Sequence, residues 1–305
     1  MALPLVYHPH YMAPLRDGHR FPMSKYGYLR DALIARGLLP ETGGYLAPAP
    51  FDVRRIAAVH ELAYVERAFN VALTPDEVRR IGLPSTERVV RRARLAAAGT
   101  ALAGRLALEH GVACNMAGGS HHAGLESGAG FCVFNDVAVA AQALLDDGLV
   151  RRIMVVDCDV HQGDGTAEIF GGDAAVFTLS VHAEKNFPAR KQTSDLDIPL
   201  PDGLRDAAYL EVLREMVAPV IAAQMPDLIF YNAGVDPYEN DKLGRLNLTR
   251  DGLRARDRLI LSTAVEQEIP IVGVLGGGYS NDPRELADRH AILFEEASAA
   301  LGRKT

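Results

Sequence analysis

The chain has 305 residues and a formal net charge of −7, with 48% hydrophobic and 23% charged residues. These values are typical of a globular protein, and the length allows one α/β domain or two smaller ones. Since the sequence has no internal repeat, low-complexity tract or long polar linker, we predict one domain over residues 1–305. No apolar run is long enough to span a bilayer and no charged-then-apolar segment opens the chain, so we expect a cytoplasmic protein without a membrane partner.

Near the N-terminus, LVYHPHY predicts a short strand. A basic stretch, RRIGLPSTERVVRRAR, covers residues 79–94. Within it, Pro84, Ser85 and Thr86 are typical of a helix start, and the Ala- and Leu-rich segment that follows predicts a helix over about 86–110. We expect its arginines to lie on a solvated face, and since the net charge is also acidic, we predict no nucleic-acid partner.

Beyond this helix, short apolar runs alternate with segments of helical periodicity. The runs are VACNMAGG, IMVVDCDVH, AVFTLSVH, DLIFYNAGVD and IPIVGVLGGGY. DVAVAAQALLDDG and AAYLEVLREMVAPVIAAQ are two of the predicted helices between them. Strands that alternate with helices predict a mainly parallel sheet with helices on both faces.

Polar side chains collect where these predicted strands end. The carboxyl ends of parallel strands meet at one edge of a sheet, and ligands bind there. Four runs bring candidate functional groups to that edge: His121 and His122; Asp157, Asp159 and His161; Asp236; and Tyr279.

The stretch VVDCDVHQGDG, residues 155–165, predicts a metal site. Side chains alternate along a strand, so Asp157, Asp159 and His161 would project to one side. Asp159, His161 and Asp236 would then hold Zn²⁺ with one position open for water, although Fe²⁺ is also compatible with such ligands. The three cysteines form no CxxC pair, which argues against a thiolate site and a disulfide framework.

The adjacent histidines of GGSHHAG each have a possible carboxylate partner, Asp157 for His121 and Asp164 for His122. An Asp–His pair fixes the imidazole tautomer and raises its basicity, which suits a general acid or base. Tyr279 follows three glycines and can donate its hydroxyl to a developing oxyanion. Together these groups predict hydrolysis of an amide or related acyl bond; the absence of GxSxG disfavours a serine hydrolase.

The motifs GGSHHAG, GFCVFNDVAVA, VVDCDVHQGDGT, NAGVDPYENDKLG and GGGY, in this order, resemble those of the histone deacetylase family. The sequences of the HQGDG and ENDKLGRL motifs are most similar to those of the class IV branch and its bacterial relatives. The resemblance implies a three-layer, arginase-like α/β fold. It also implies zinc ligation by Asp159, His161 and Asp236, acid–base roles for His121 and His122, and carbonyl polarisation by Tyr279.

The resemblance adds residues that composition and spacing do not assign. Gly130 and Phe131 would form one wall of a narrow acyl-lysine tunnel, Phe187 would form the opposite wall, and Leu243 would lie near the mouth. Arg20 would lie near an inner channel. Asp157, Asp159, His161 and Ser180 would bind a structural K⁺ ion.

Several functions stay open. The expected substrate is an acylated lysine side chain, with acetyl or a longer fatty acyl group, or a small acylated amine such as an acetylpolyamine. A cationic polyamine would favour an acidic residue at the position of Leu243, so the neutral leucine favours acyl-lysine as the substrate. A catalytically silent acyl-binding module and an arginase-type dimanganese hydrolase are weaker alternatives. The oligomeric state is not determined by the sequence.

Overall fold

A computed structural model describes residues 2–302, which contain one parallel seven-stranded sheet. The strands, in chain order, are β1 (Leu5–Val6), β2 (Val112–Asn115), β3 (Ile153–Asp157), β4 (Val176–Ala183), β5 (Leu196–Leu200), β6 (Leu228–Asn232) and β7 (Ile271–Val274). Their order across the sheet is β1-β2-β7-β6-β3-β4-β5. The four strands whose ends carry the predicted functional groups, β2, β7, β6 and β3, are therefore neighbours at its centre.

Helices flank this sheet. They are α1 (Lys25–Ala35), α2 (Val53–Ile56), α3 (Leu62–Phe69), α4 (Pro75–Ile81), α5 (Glu87–His110), α6 (Asp136–Asp146), α7 (Asp164–Phe170), α8 (Asp206–Val212), α9 (Ala218–Gln224), α10 (Arg250–Glu266) and α11 (Pro283–Gly302). Each residue of β2, β3, β6 and β7 is buried, as expected for strands covered on both faces. The predicted α/β fold with a parallel sheet is confirmed.

The long helix α5 begins where the sequence predicts. The Thr86 hydroxyl accepts a hydrogen bond from the Val89 backbone N–H and caps the first turn. One expectation for this helix is wrong: Arg92 is buried and does not lie on the solvated face. Its guanidinium donates to the Tyr11 carbonyl oxygen at 3.0 Å and to the Tyr26 hydroxyl.

Two other elements differ from the prediction. The segment predicted as one helix over residues 207–224 consists of α8, a π-helical turn at Leu213–Val217, and α9. Pro219, at the start of α9, has no N–H and would clash with the carbonyl four residues earlier in a regular α-helix. Strand β5 is absent from the prediction because Pro199 interrupts the apolar pattern; β5 is an edge strand, where proline is tolerated.

Among residues 2–302, no helix is both long and apolar enough to cross a membrane.

Candidate active site

The predicted functional groups meet at the carboxyl edge of the four central strands. Gly118–His122, Asp159, His161, Gly276, Gly277 and Tyr279 line one cavity together with Gly130, Phe131 and Cys132. The loops after β2, β3 and β7 reach this cavity from different parts of the chain. The loop after β6 adds Asp236, which is fully buried beside them.

Asp159, His161 and Asp236 form a compact, buried ligand group. One potential ligand atom from each residue lies within 4.8 Å of the others. His161 Nδ1 is 3.0 Å from Asp159 Oδ1 and 3.1 Å from Asp236 Oδ2. The predicted cause of this grouping is wrong, because β3 ends at Asp157 and strand alternation does not extend to Asp159 and His161.

Backbone hydrogen bonds, in place of a strand, fold the loop after β3. The Asp157 carboxylate accepts from the Asp159 N–H, and the Asp159 carboxylate accepts from the His161 N–H, both at 3.0 Å. The Val160 N–H donates to Asp236 at 2.9 Å, and the Gly277 N–H donates to Asp159 at 2.6 Å. These bonds tie three loops together around the ligand group.

Arg256 of α10 holds two of these loops from behind. Its fully buried guanidinium donates to the Cys158 and Gly234 carbonyl oxygens at 3.2 and 2.5 Å, and to the Ala233 carbonyl oxygen at 3.2 Å. Asp257 accepts from the Arg256 Nε and balances its charge. Arg256 was not predicted from the sequence, since an arginine inside a charged helix gives no signal that it is buried.

The ligand group fits a divalent cation. The side chains of Asp159 and Asp236 are both 0% exposed, and in the described part of the chain their ion-pair partners are histidines alone. Two buried carboxylates leave negative charge that is costly without a compensating cation. Carboxylate and imidazole ligands with a nearby cavity suit Zn²⁺ and also Fe²⁺.

The two adjacent histidines have the predicted carboxylate partners. His121 Nδ1 is 2.6 Å from Asp157 Oδ2, and His122 Nδ1 is 2.5 Å from Asp164 Oδ1. Burial alone would lower the pKa of His121, but the Asp157 and Asp159 carboxylates raise it to about 9. Burial and the neighbouring His121 lower the pKa of His122 to about 4, since Asp164 offsets them only in part. The two imidazoles therefore differ in charge near pH 7.

Tyr279 is fixed through its backbone. Its N–H donates to the Asp241 carboxylate at 2.6 Å, and its carbonyl accepts from the Lys242 N–H at 3.2 Å. Gly277, two residues earlier, must be glycine, because an added Cβ would lie 2.1 Å from Asp236 Oδ2. Burial, together with Asp236 and Asp159, raises the pKa of Tyr279 far above its usual value, so the phenol keeps its proton.

The residues predicted to form the tunnel contact members of this group. Gly130 and Phe131 line the cavity, and the Phe131 ring is 5.8 Å from that of Tyr279. Phe187 is 47% exposed and packs edge-on against His122, with ring centroids 4.8 Å apart. Leu243 is half-buried, and its carbonyl accepts from the Asn186 side chain at 2.6 Å, which links the loops of Phe187 and Leu243.

Three residues that were not predicted from the sequence also line the cavity: Phe21, Tyr26 and Arg92. Arg20, predicted near an inner channel, is exposed, and Arg92 takes the buried position at the cavity instead. Phe21 of the N-terminal loop and Tyr26 of α1 are both buried, and the guanidinium of Arg92 in α5 lies over their rings. From the sequence, Phe21 and Tyr26 indicate only core packing and Arg92 indicates a solvated helix face, so no local signal places them at a cavity wall.

Comparisons of the sequence with known proteins identify a matching domain family and several relatives. Residues 19–294 match the histone deacetylase domain family. An uncharacterized protein of Picosynechococcus sp. is 46% identical over 297 residues, which cover 97% of this chain and 99% of the relative. Histone deacetylase 2 of Arabidopsis thaliana is 30% identical over 279 residues, 88% of this chain and 72% of the relative. Acetoin utilization protein AcuC of Staphylococcus aureus is 29% identical over 260 residues, 78% and 66%, respectively.

Two solved structures share the fold. The HD domain of HDA15 superposes with a TM-score of 0.83 at 21% identity, covering all of this chain and 89% of that chain. Acetylpolyamine aminohydrolase from Burkholderia pseudomallei superposes with a TM-score of 0.78 at 24% identity, covering 98% of this chain and 99% of that chain. The sheet and its flanking helices are therefore those of a known α/β architecture.

Proposed function

The chain belongs to the histone deacetylase family, and from this membership we propose that it is a metal-dependent amidohydrolase that removes an acyl group from a lysine-type amine. One observation carries the proposal: the buried group Asp159, His161 and Asp236 lies beside two Asp–His pairs and Tyr279 at one edge of the sheet. A purely ligand-binding protein has no need for this complete set of proton-transfer groups.

Asp159, His161 and Asp236 would hold the metal, which we propose to be Zn²⁺ or Fe²⁺. When bound, such an ion polarises a carbonyl group and lowers the pKa of water. The protein keeps these ligands rigid, since the Val160 and Gly277 N–H groups and the Arg256 guanidinium fix their loops. A structural K⁺ ion is a further proposal; Asp157 and Ser180, two of its four predicted ligands, are paired across β3 and β4.

His122 is the proposed general base. Its imidazole is neutral at pH 7, so its Nε2 can accept a proton from the attacking water while Nδ1 donates to Asp164. His121 carries a proton at the same pH, and Asp157 holds its Nδ1. The positive charge of His121 stabilises negative charge that develops nearby. The proton held by His122 then passes to the leaving amine.

Tyr279 is the proposed oxyanion donor. Its phenol retains its proton, and the hydrogen bond from its backbone N–H to Asp241 fixes the start of the side chain. A hydroxyl that is fixed before reaction stabilises the tetrahedral oxyanion without the cost of reorganisation.

An acylated lysine side chain is the proposed substrate. Phe187, packed against His122, and Phe131, packed against Tyr279, offer aromatic surfaces that suit the apolar methylene chain of lysine. Leu243 provides no negative charge for a polyamine. The sequences of the HQGDG and ENDKLGRL motifs support membership of the class IV branch or its bacterial relatives. Residues 1–305 would form one catalytic domain.

The test is hydrolysis of a matched pair of substrates, an acetyl-lysine peptide and N-acetylputrescine, by the metal-loaded protein and by His122→Ala. We expect peptide turnover that His122→Ala lowers by about 10²–10⁴-fold. Turnover of N-acetylputrescine alone would make the polyamine hydrolase the correct function. Binding of the peptide without any turnover would favour the silent binding module.

A further inference from the structure

Three buried side chains from separate elements form part of the wall of the active-site cavity. Phe21 lies in the N-terminal loop, Tyr26 lies in α1, and Arg92 lies in α5. Each is at most 9% exposed, and all three line the same cavity as His121, His122 and Tyr279. This cluster, Phe21–Tyr26–Arg92, is called the inner wall below.

Hydrogen bonds and ring stacking fix the inner wall. The Arg92 guanidinium lies over the rings of Phe21 and Tyr26, 5.4 and 4.8 Å from their centroids. It also donates to the Tyr11 carbonyl oxygen at 3.0 Å and to the Tyr26 hydroxyl. Phe21 in turn packs 5.4 Å from Phe131, which links the inner wall to the tunnel wall. An alkyl chain could enter this space only by breaking several of these contacts at once.

The cavity is also small. Its free volume is about 30 Å³. Since one buried water needs roughly 10–15 Å³ on the same measure, the cavity has room for about two water molecules. This volume is that of the whole cavity, which His121, His122 and Tyr279 also line, so it has no room for the six methylenes by which an octanoyl chain exceeds an acetyl group. These methylenes would also contact the buried guanidinium of Arg92. Such contact is unfavourable, because the charged group would lose polar contacts and the methylenes offer none in return.

We infer that the inner wall restricts this enzyme to short acyl groups, with Arg92 as the residue that determines the length limit. The inference rests on the proposed deacylase function and adds its acyl specificity. Arg92 acts by occupying the space beyond the acyl methyl group, while Phe21 and Tyr26 hold it there. The members of the wall are therefore specificity determinants and take no part in bond cleavage.

The test measures kcat/KM for one peptide sequence that carries acetyl-, butyryl- or octanoyl-lysine. For the unsubstituted protein we expect acetyl to exceed octanoyl by at least ~100-fold, as for other overfilled pockets. Arg92→Ala should reduce this ratio at least ~10-fold, because truncation opens the inner wall. Phe21→Ala, at the edge of the wall, should shift the ratio in the same direction and guards against failure of Arg92→Ala to fold.

Arg91→Ala is the matched control, because Arg91 is the exposed neighbour on the same helix and does not line the cavity. We expect it to leave the acetyl-to-octanoyl ratio unchanged. Equal turnover of acetyl and octanoyl peptides by the unsubstituted protein would overturn the length limit and leave the deacylase function standing. A ratio that both Arg92→Ala and Phe21→Ala leave unchanged would overturn the role of the inner wall. Absence of turnover for every acyl group would overturn the deacylase function itself, and the length limit with it.

Discussion

His121 and His122 are adjacent in the chain but lie in different electrostatic surroundings. His121 lies within reach of two carboxylates, at 2.6 Å from Asp157 and 3.8 Å from Asp159. His122 has the single partner Asp164 and lies next to the charged ring of His121, with ring centroids 4.1 Å apart. Neighbouring groups with pKa values pushed apart are typical of an acid and a base at one site.

This difference predicts a bell-shaped pH dependence of kcat/KM. The base must be neutral, so activity should rise with pH through the His122 pKa of about 4. His121 must stay protonated, so activity should fall as pH rises through its pKa of about 9. Initial rates in short assays between pH 4.5 and 10 should stay close to their maximum down to about pH 5 and should resolve the alkaline limb. An acidic limb centred near the ordinary histidine value of about 6.5 would contradict the role given to His122.

Tyr279→Phe isolates the hydroxyl. The ring contacts and the backbone bond to Asp241 should persist, while the oxyanion loses one donor, so we expect kcat to fall by about 10²–10³-fold. Metal content and affinity for the acetyl-lysine peptide should change little, as metal analysis and equilibrium binding would show. A variant that retains near-normal kcat would remove Tyr279 from the reaction.

At the scale of elements, α10 contributes to the metal group although it supplies no ligand. Arg256 holds the loops that carry Asp159 and Asp236, and groups that orient ligands typically change metal affinity by about 10–100-fold. We therefore expect Arg256→Met to weaken Zn²⁺ binding by that amount in a competition titration with a chromogenic chelator. Arg258→Met, on the same helix, removes an exposed partner of the buried Glu296, which keeps its ion pair with Arg254, and should leave affinity unchanged. Equal affinities for both variants would make Arg256 a purely structural residue.

The sequence predicted the central elements because each has a strong local signal. β3 and β6 are uninterrupted apolar runs, and α5 has both a cap and a helical composition. β5 lacks such a signal, since Asp197 and Pro199 break its apolar pattern and its pairing with β4 is a tertiary effect. Edge strands are therefore the part of this sheet that local sequence reasoning finds least well.

The grouping of the site was predictable only in part. Parallel strand ends converge, so His121, Asp157, Asp236 and Tyr279 could be placed at one edge from the strand pattern alone. The loop hydrogen bonds that position Asp159 and His161, and the inner wall formed around Arg92, join residues distant in the sequence. Such contacts depend on the completed fold. The catalytic roles of the residues they position stay predictions.

The buried His60 connects its own segment of the core to the distant segment that contains Gly124 and Asn135. Its buried ring lies 2.7 Å from the Gly124 carbonyl oxygen through Nδ1, and its Nε2 accepts from the Asn135 N–H at 3.0 Å. Nε2 must therefore be unprotonated. Burial lowers the pKa of His60 to about 4, which the Gly124 carbonyl only partly offsets.

This arrangement predicts acid sensitivity of the fold. The folded pKa of His60 lies below the unfolded value of about 6.5, so its contribution is fully present above pH 6.5 and is lost as pH falls towards 4. The loss amounts to about 3 kcal/mol in the free energy of unfolding. Urea unfolding at several pH values should show a shallower decline for His60→Gln, whose amide can replace both hydrogen bonds. His10→Gln, at an exposed histidine, is the control and should follow the unsubstituted protein.

The dependence of amide hydrolysis on one metal ion per chain is the most direct test of the proposed function. The protein would be stripped with a chelator and titrated with Zn²⁺ or Fe²⁺, while turnover of an acetyl-lysine peptide and bound metal are measured in the same samples. We predict that turnover disappears on stripping and returns in proportion to metal, with saturation at one ion in the Asp159–His161–Asp236 group. Asp236→Asn should neither bind the ion tightly nor recover. Turnover that survives stripping, or that needs two ions per chain, would contradict a single-metal deacylase.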